Sequence, residues 1–177
     1  RLLVIEQRGV VYSLAESKPA AVLDISHLTS HNGEQGLLGA AISVDGDSIY
    51  LNYTSSSAGS EGDTVIAAAP RTADGSFDSN NLATIMTISQ PYGNHNGGDL
   101  EVLADGSLLI AVGDGGSGGD PQRHAHNLDD PLGKLLRIVP LAGGGYVIPN
   151  DNPYVESALG EIWSSGLRNP WRIDVDP

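Results

Sequence analysis

The sequence predicts an all-β fold built from short antiparallel strands. Glycine and proline are abundant, with 23 Gly and 10 Pro among 177 residues, and no long stretch shows helical periodicity. Apolar runs are interrupted by Asp-Gly turns, at Asp45-Gly46 and at Asp105-Gly106, which is the pattern of β-hairpins. A chain of this length is enough for one domain with its own core, or for a piece of one.

A sequence pattern, in which an apolar strand, an Asp-Gly turn and a second apolar strand follow one another, recurs along the chain. It occurs at 42–51 and again at 100–110, and a truncated copy runs from Trp171 to Pro177. Repetition of one supersecondary unit is the signature of a repeat architecture. We therefore expect the chain to begin and end within a repeat.

Division of the repeats gives four strands for each full unit. The predicted strands are Leu2–Ile5 and Val10–Leu14 in an opening unit, Leu37–Val44, Ser48–Thr54, Thr64–Ala69 and Ala83–Ile88 in the next, and Gly98–Leu103, Ser107–Val112, Lys134–Val139 and Tyr146–Ile148 in the third. Four antiparallel strands form the blade of a β-propeller, and a two-sheet sandwich is the rival fold. The nearly continuous apolar run at 107–112 is typical of a strand covered on both faces.

A single partial β-propeller domain over residues 1–177 is the resulting prediction. Its divisions are a partial first blade at 1–30, a second blade at 31–90, a third blade at 91–160 with a long loop at 113–133, and the first strand of a fourth blade at 161–177. Propellers close with about four to eight blades, so about three blades are roughly half of one.

Acidic residues dominate the charge, with 22 Asp and Glu against 9 Lys and Arg and a net charge of −13. Such a chain repels phosphate backbones and anionic lipid heads, so we expect no nucleic-acid partner. No apolar run approaches the roughly 20 residues of a membrane-spanning helix, so no membrane span is expected. The absence of cysteine excludes disulfides and thiolate metal sites. Acidity also favours a periplasmic or secreted protein, although cytosolic proteins can be as acidic.

Three polar segments precede the inner strands of successive units. They place Glu34, His95 and Arg168 at one structural level of neighbouring blades. The His95 imidazole can take a hydroxyl proton near neutral pH, but a histidine that only ties two loops together fits the spacing equally well. Arg168 offers a charged fork for a carboxylate or a developing alkoxide, and Asn169 a donor and an acceptor. A structural ion pair is the alternative for Arg168.

The loop at 113–133 is rich in glycine and aspartate. It lacks the Gly-Lys-Ser/Thr ending and the following helix of a nucleotide-binding loop, which excludes that function. Asp114 and Asp120 are weak candidates for calcium ligands, because the spacing is not that of an EF-hand and tight turns explain the same residues. His124 and His126 alternate as on a strand, and two histidines without other ligands are weak evidence for a metal.

Six phrases of the sequence resemble, in order, the soluble pyrroloquinoline quinone (PQQ)-dependent glucose/sorbosone dehydrogenase family. They are GEQGLLG from Gly33, HNGG from His95, GDGGSGGDP from Gly113, LGKLLRI from Leu132, IPNDNP from Ile148 and GLRNPW from Gly166. The resemblance extends over essentially the whole chain. It implies a six-bladed propeller of the quinoprotein glucose dehydrogenase type, periplasmic or secreted, with PQQ over the channel and a calcium ion polarising it.

The resemblance also implies roles for individual residues in the oxidation of aldose sugars or other alcohols and aldehydes. His95 matches the general base on the sugar hydroxyl, while a hydride passes to the quinone and an external acceptor takes the electrons. Arg168 and Asn169 match residues that contact the cofactor and stabilise charge. Glu34 falls near the substrate, and Asn94 stands where glucose-specific members have aspartate, which leaves the aldose undefined.

Two other functions stay open on the sequence. Hedgehog-interacting proteins carry a related propeller that serves protein recognition, so a non-catalytic binding module is the alternative. Open blade edges could also let two copies associate into one ring, or let the chain pair with a missing half.

We expect the 177-residue chain alone to show little quinone-dependent turnover. In the resembling family, the calcium ligands and the Lys and Arg residues that grip the quinone lie beyond the position of Pro177. A dye-reduction assay with added cofactor, calcium and aldoses measures the turnover, and robust activity would contradict this expectation.

Overall fold

The computed structural model describes residues 2–14, 18–59 and 62–176. These residues form short strands joined by turns and two 3-10 helices, at Ser26–Leu28 and His124–His126. The strands are β1 (Leu3–Glu6), β2 (Val10–Ser13), β3 (Ala20–Asp24), β4 (Leu37–Ile42), β5 (Ser48–Thr54), β6 (Thr64–Pro70), β7 (Ala83–Ile88), β8 (Leu100–Val102), β9 (Leu108–Val112), β10 (Lys134–Pro140), β11 (Tyr146–Val147) and β12 (Ile162–Ser165). Neither helix of this described part is long and apolar enough to cross a membrane.

The strands pair into three antiparallel sheets. The first has the order β1-β2-β3, the second β4-β5-β6-β7, and the third β8-β9-β10-β11, with β12 also pairing with β10. Each of the strands β1 to β11 thus pairs with its sequence neighbours within its sheet. The all-β prediction and the four-stranded antiparallel unit are confirmed.

The second sheet lies between two hydrophobic clusters. On β6, Val65 and Ala67 belong to the cluster shared with the first sheet, whereas Ile66 belongs to the cluster shared with the third. Because successive side chains of a strand point to opposite faces, both faces of this sheet are buried. The same packing explains the apolar run at Leu108–Val112, all five of whose residues are buried.

The outer edge of the third sheet differs from the prediction. Ile162–Ser165, expected to begin a fourth blade, instead pairs with β10 at Lys134–Leu136, while β11 pairs with Val139–Pro140. The seven residues of β10 are long enough to pair with both short strands, one after the other. The described residues 166–176 contain no strand, so the truncated repeat does not form one here.

A buried lysine attaches the long loop to the third sheet. Lys134, the first residue of β10, is fully buried, and its Nζ donates to the carbonyl oxygens of Leu132, His124 and Ala125 at 2.6, 2.8 and 3.2 Å. Burial lowers the pKa of the Lys134 ammonium, and the charges of Asp130 and Asp120 oppose that shift. The carbonyl oxygens of His124 and Ala125 also accept from the backbone N–H groups of Asn127 and Gly166. Within the described residues, the Leu132 carbonyl is therefore the one that relies on Lys134 for its partner.

Lys134→Met should therefore destabilise the protein. The apolar side chain keeps the volume but leaves the buried Leu132 carbonyl without its donor, and we expect a loss of about 2 kcal/mol in the free energy of unfolding. Urea denaturation measures it, with Lys18→Met at an exposed position as the matched control. Equal stability of the two variants would contradict the anchoring role.

Candidate active site

Loops from three parts of the chain meet beside the start of the third sheet. The carboxylate of Glu34 accepts hydrogen bonds from the backbone N–H of His95 at 2.7 Å and from the side-chain amide of Asn169 at 3.2 Å. The Asn169 Oδ1 accepts in turn from the backbone N–H of Gly97 at 2.9 Å. The structure thus brings together the segments of Glu34, His95 and Arg168 that the sequence predicts at one level.

The His95 ring is buried and bonded to a carboxylate. Its Nδ1 lies 2.7 Å from Oδ1 of Asp114, and both residues are buried. The backbone N–H of Gly116 donates to the same oxygen at 2.9 Å, which holds the carboxylate in place. When Nδ1–H donates to a carboxylate, the neutral imidazole presents Nε2 as a proton acceptor.

Arg168 covers the other nitrogen of the imidazole. One guanidinium nitrogen contacts Nε2 of His95 and lies 3.3 Å from Nδ1. Since a guanidinium can only donate, this contact is consistent with an unprotonated Nε2. The backbone oxygen of Arg168 also accepts from the N–H of Asp114 at 2.9 Å, so the histidine, the aspartate and the arginine form one unit.

The backbone around His95 is tightly confined. His95 has a φ of 57°, a left-handed conformation that is uncommon for residues other than glycine. A Cβ at Gly113 would collide with the carbonyl oxygen of His95, so only glycine permits this approach. Asn94 contributes from the same loop, because its Oδ1 accepts from the N–H of Ser117 at 3.3 Å and joins the loop to the glycine-rich segment.

The two carboxylates considered as metal ligands in the long loop both accept hydrogen bonds within the protein. Asp114 is engaged by His95, and the two oxygens of Asp120 accept from the backbone N–H groups of His124 and Ala125, each at 2.9 Å. Burial opposes ionisation of Asp120, but these hydrogen bonds lower its pKa overall. Nowhere in the described ranges do three or more His, Cys, Asp or Glu side chains group as metal ligands.

The histidines of this loop also differ from expectation. His124 and His126 lie on a 3-10 helix rather than a strand. The Nδ1 of His124 is 2.5 Å from Oδ2 of Asp130, which gives the loop a second histidine–aspartate pair.

Sequence reasoning missed the pairing of Asp114 with His95. The available signal was positional, because Asp114 follows β9 closely and His95 precedes β8, the hairpin partner of β9. Residues at the two open ends of a hairpin lie close in space.

Two cavities lie beside the residues that contact His95, although His95 itself lines neither. One, of about 640 Å³, is lined by Glu34 and Asn169 together with Asn96, whose buried side-chain amide has no hydrogen-bond partner among the described residues. The other, of about 440 Å³, is lined by Asp114 and Arg168 and by the long loop.

Residues 1–177 match the family described as Glucose / Sorbosone dehydrogenase. The chain belongs to this family. The solved structure of the soluble aldose sugar dehydrogenase from Escherichia coli in the apo-form is similar, with a TM-score of 0.75 and 27% identity, covering 94% of this chain and 48% of that chain. This likeness confirms the β-propeller prediction, with the chain covering about half of the solved propeller.

The chain is also similar to plant HIPL proteins and to Hedgehog-interacting proteins. The HIPL1 protein of Arabidopsis thaliana is 32% identical over 167 residues, which is 86% of this chain and 22% of that protein. The human Hedgehog-interacting protein is 27% identical over 198 aligned residues, 99% of this chain and 28% of that protein. The chain thus spans about a quarter of the length of these relatives.

Asn169→Asp should weaken the junction at Glu34. It replaces the amide that donates to the Glu34 carboxylate with a second carboxylate at about the same place. We expect a loss of about 1 kcal/mol in the free energy of unfolding, and recovery of most of it when Glu34→Gln is added, because an amide can donate again. Urea denaturation of the two single variants and the double variant measures the coupling.

Asn127→Asp is the matched control for this cycle. Asn127 is exposed, and its Oδ1 only accepts from the N–H of Asp129, which a carboxylate can also do. Additive effects of Asn169→Asp and Glu34→Gln would show that the two side chains do not interact in solution.

Proposed function

We propose that this chain forms part of a PQQ-dependent site that oxidises aldose sugars. The observation that carries the proposal is the buried His95 ring, with Asp114 on Nδ1 and Arg168 on Nε2. Asp114 and Arg168 also line a neighbouring cavity. Family membership and the likeness to an aldose sugar dehydrogenase support the same chemistry.

His95 is assigned the role of general base. Asp114 holds the Nδ1–H, so that the Nε2 lone pair is available for the proton of a sugar hydroxyl. Loss of that proton avoids a protonated carbonyl as a hydride leaves the neighbouring carbon. Asp114 then stabilises the imidazolium at short range in a buried setting.

The Arg168 side chain takes two orientations in this mechanism. In the structure it donates to Nε2, which is the atom that must accept the substrate proton. The guanidinium must therefore turn away before catalysis, and its exposed side chain is free to do so. Turned toward a ligand, it donates to a quinone oxygen or to a carboxylate and stabilises developing negative charge.

The residues present fit one side of a quinone site. Arg168 and Asn169 would hold the cofactor, and the unpartnered amide of Asn96 lines the adjoining cavity. When bound, PQQ supplies the two-electron acceptor for the hydride. No calcium ligands are assigned to this chain. Within the described residues no cluster of acidic side chains could hold the ion. We propose that its ligands lie beyond residue 177.

The substrate side is assigned to Glu34 and Asn94, which stand next to His95. Glu34 already bonds to the His95 backbone, and its carboxylate lines the larger cavity, where sugar hydroxyls can donate to it. Asn94 is tied to Ser117 and lies at the edge of the loop. We also propose that the protein is periplasmic or secreted and that an external acceptor takes the electrons from the reduced quinone.

A non-catalytic binding module is the second candidate. It is favoured by the similarity of the human Hedgehog-interacting protein over 99% of this chain. A binding role does not by itself account for the buried ring of His95 between Asp114 and Arg168. We therefore place the oxidative function first.

The test is a single-turnover experiment with the chain in large excess over PQQ and calcium, since high protein concentration compensates for weak cofactor binding. An aldose should change the quinone absorbance slowly in the unmodified chain. His95→Gln should slow this step by about a hundredfold or more, because the proton acceptor is lost, while leaving quinone affinity unchanged.

His124→Gln is the matched control, since His124 also pairs with an aspartate but lies on the long loop. It should react like the unmodified chain. Equal rates for His95→Gln and His124→Gln would refute the proposal.

A further inference from the structure

The smaller cavity beside the His95 site has an unusual balance of charge. This loop cavity, of about 440 Å³, lies between the long loop and the segment 166–168. Its volume is within the range of sites that hold small ligands. The ionisable side chains that line it are Asp114, Asp120, Arg123, His126 and Arg168.

The two acidic groups of the loop cavity are already engaged within the protein. Asp114 accepts from His95 and from the N–H of Gly116, and Asp120 accepts two backbone N–H groups of the 3-10 helix. Hydrogen bonds of this kind offset the charge of a carboxylate locally. Each of the two carboxylates is therefore held by hydrogen bonds within the protein.

The basic groups, in contrast, have free donors. Arg123 and His126 are exposed, and within the described part of the chain no hydrogen bond or ion pair joins either side chain to a partner. The guanidinium of Arg168 contacts the His95 imidazole and, among the described residues, forms no ion pair with a carboxylate.

The loop cavity has two arginines and one histidine beside two aspartates, in a chain with 9 Lys and Arg against 22 Asp and Glu. The cavity is thus less acidic than the chain as a whole, and an anion near the site is drawn to its unpartnered donors. Planar forks such as Arg123 and Arg168 suit a carboxylate, which accepts two parallel hydrogen bonds.

The geometry points to a carboxylate-binding subsite in the loop cavity, formed by Arg123, His126 and Arg168. The ligand that carries the carboxylate is an acidic sugar, such as a hexuronate, or the quinone with its own carboxylates. Its assignment as substrate or cofactor rests on the proposed function, whereas carboxylate binding itself does not.

The experiment compares D-glucuronate with D-glucose as ligands of the 177-residue chain, by calorimetric titration. The two share a ring and differ at C6, where a carboxylate replaces a hydroxymethyl group. Glucuronate should bind at least tenfold more tightly, and Arg123→Gln should remove about that factor, with His126→Gln acting in the same direction. Raising the salt concentration should weaken glucuronate binding more than glucose binding.

Arg8→Gln is the matched control, because Arg8 is exposed on the first sheet, outside the loop cavity, and the charge change is the same. It should leave both affinities unchanged. PQQ is titrated into the same variants, and a loss of quinone affinity in Arg123→Gln with no effect on glucuronate assigns the carboxylate to the cofactor.

The subsite is overturned if Arg123→Gln alters neither glucuronate nor quinone affinity beyond twofold. It is also overturned if Arg8→Gln has the same effect as Arg123→Gln. Failure of the proposed function looks different, because carboxylate binding would then still depend on Arg123 while His95→Gln and His124→Gln reacted at equal rates.

Discussion

Burial of both faces of the second sheet is the constraint on which the rest of the structure depends. Val65 and Ala67 face one hydrophobic cluster and Ile66 faces the other, so the sheet is held between its two neighbours. Close approach of the sheets requires small residues at the inner end, where a Cβ at Gly39 would collide with the carbonyl of Gly98. The loops at this end are therefore brought within hydrogen-bond distance of one another.

Because these loops lie close together, the candidate site combines polar groups from distant parts of the chain. Glu34 joins the His95 backbone and the Asn169 side chain, while Asp114 orients the ring from the neighbouring hairpin end. Burial strengthens these electrostatic contacts, because few water molecules compete for the donors. Arg168 links the site to the loop cavity, so substrate chemistry and anion binding would share one guanidinium.

Much of the fold could be predicted from local pattern. Strands β5 and β7 have the predicted bounds, since period-two alternation and turn residues act over only a few positions. β12 was missed because its pairing depends on the unoccupied half of a long strand, β10, which no local pattern reveals. The 3-10 helix at His124–His126 was also missed, because it depends on Asp120, whose carboxylate accepts from its N-terminal N–H groups.

The sequence by itself determined the all-β class, the repeated hairpins and the set of polar residues available for chemistry, because strand and turn preferences are properties of short segments. Only the tertiary structure decided which of those residues act together. Glu34 bonds across 61 positions to His95 and across 135 to Asn169, and Asp114 becomes a partner of His95. Such pairings follow from how the sheets pack, since contacts this distant in the chain exist only once the hydrophobic clusters have formed.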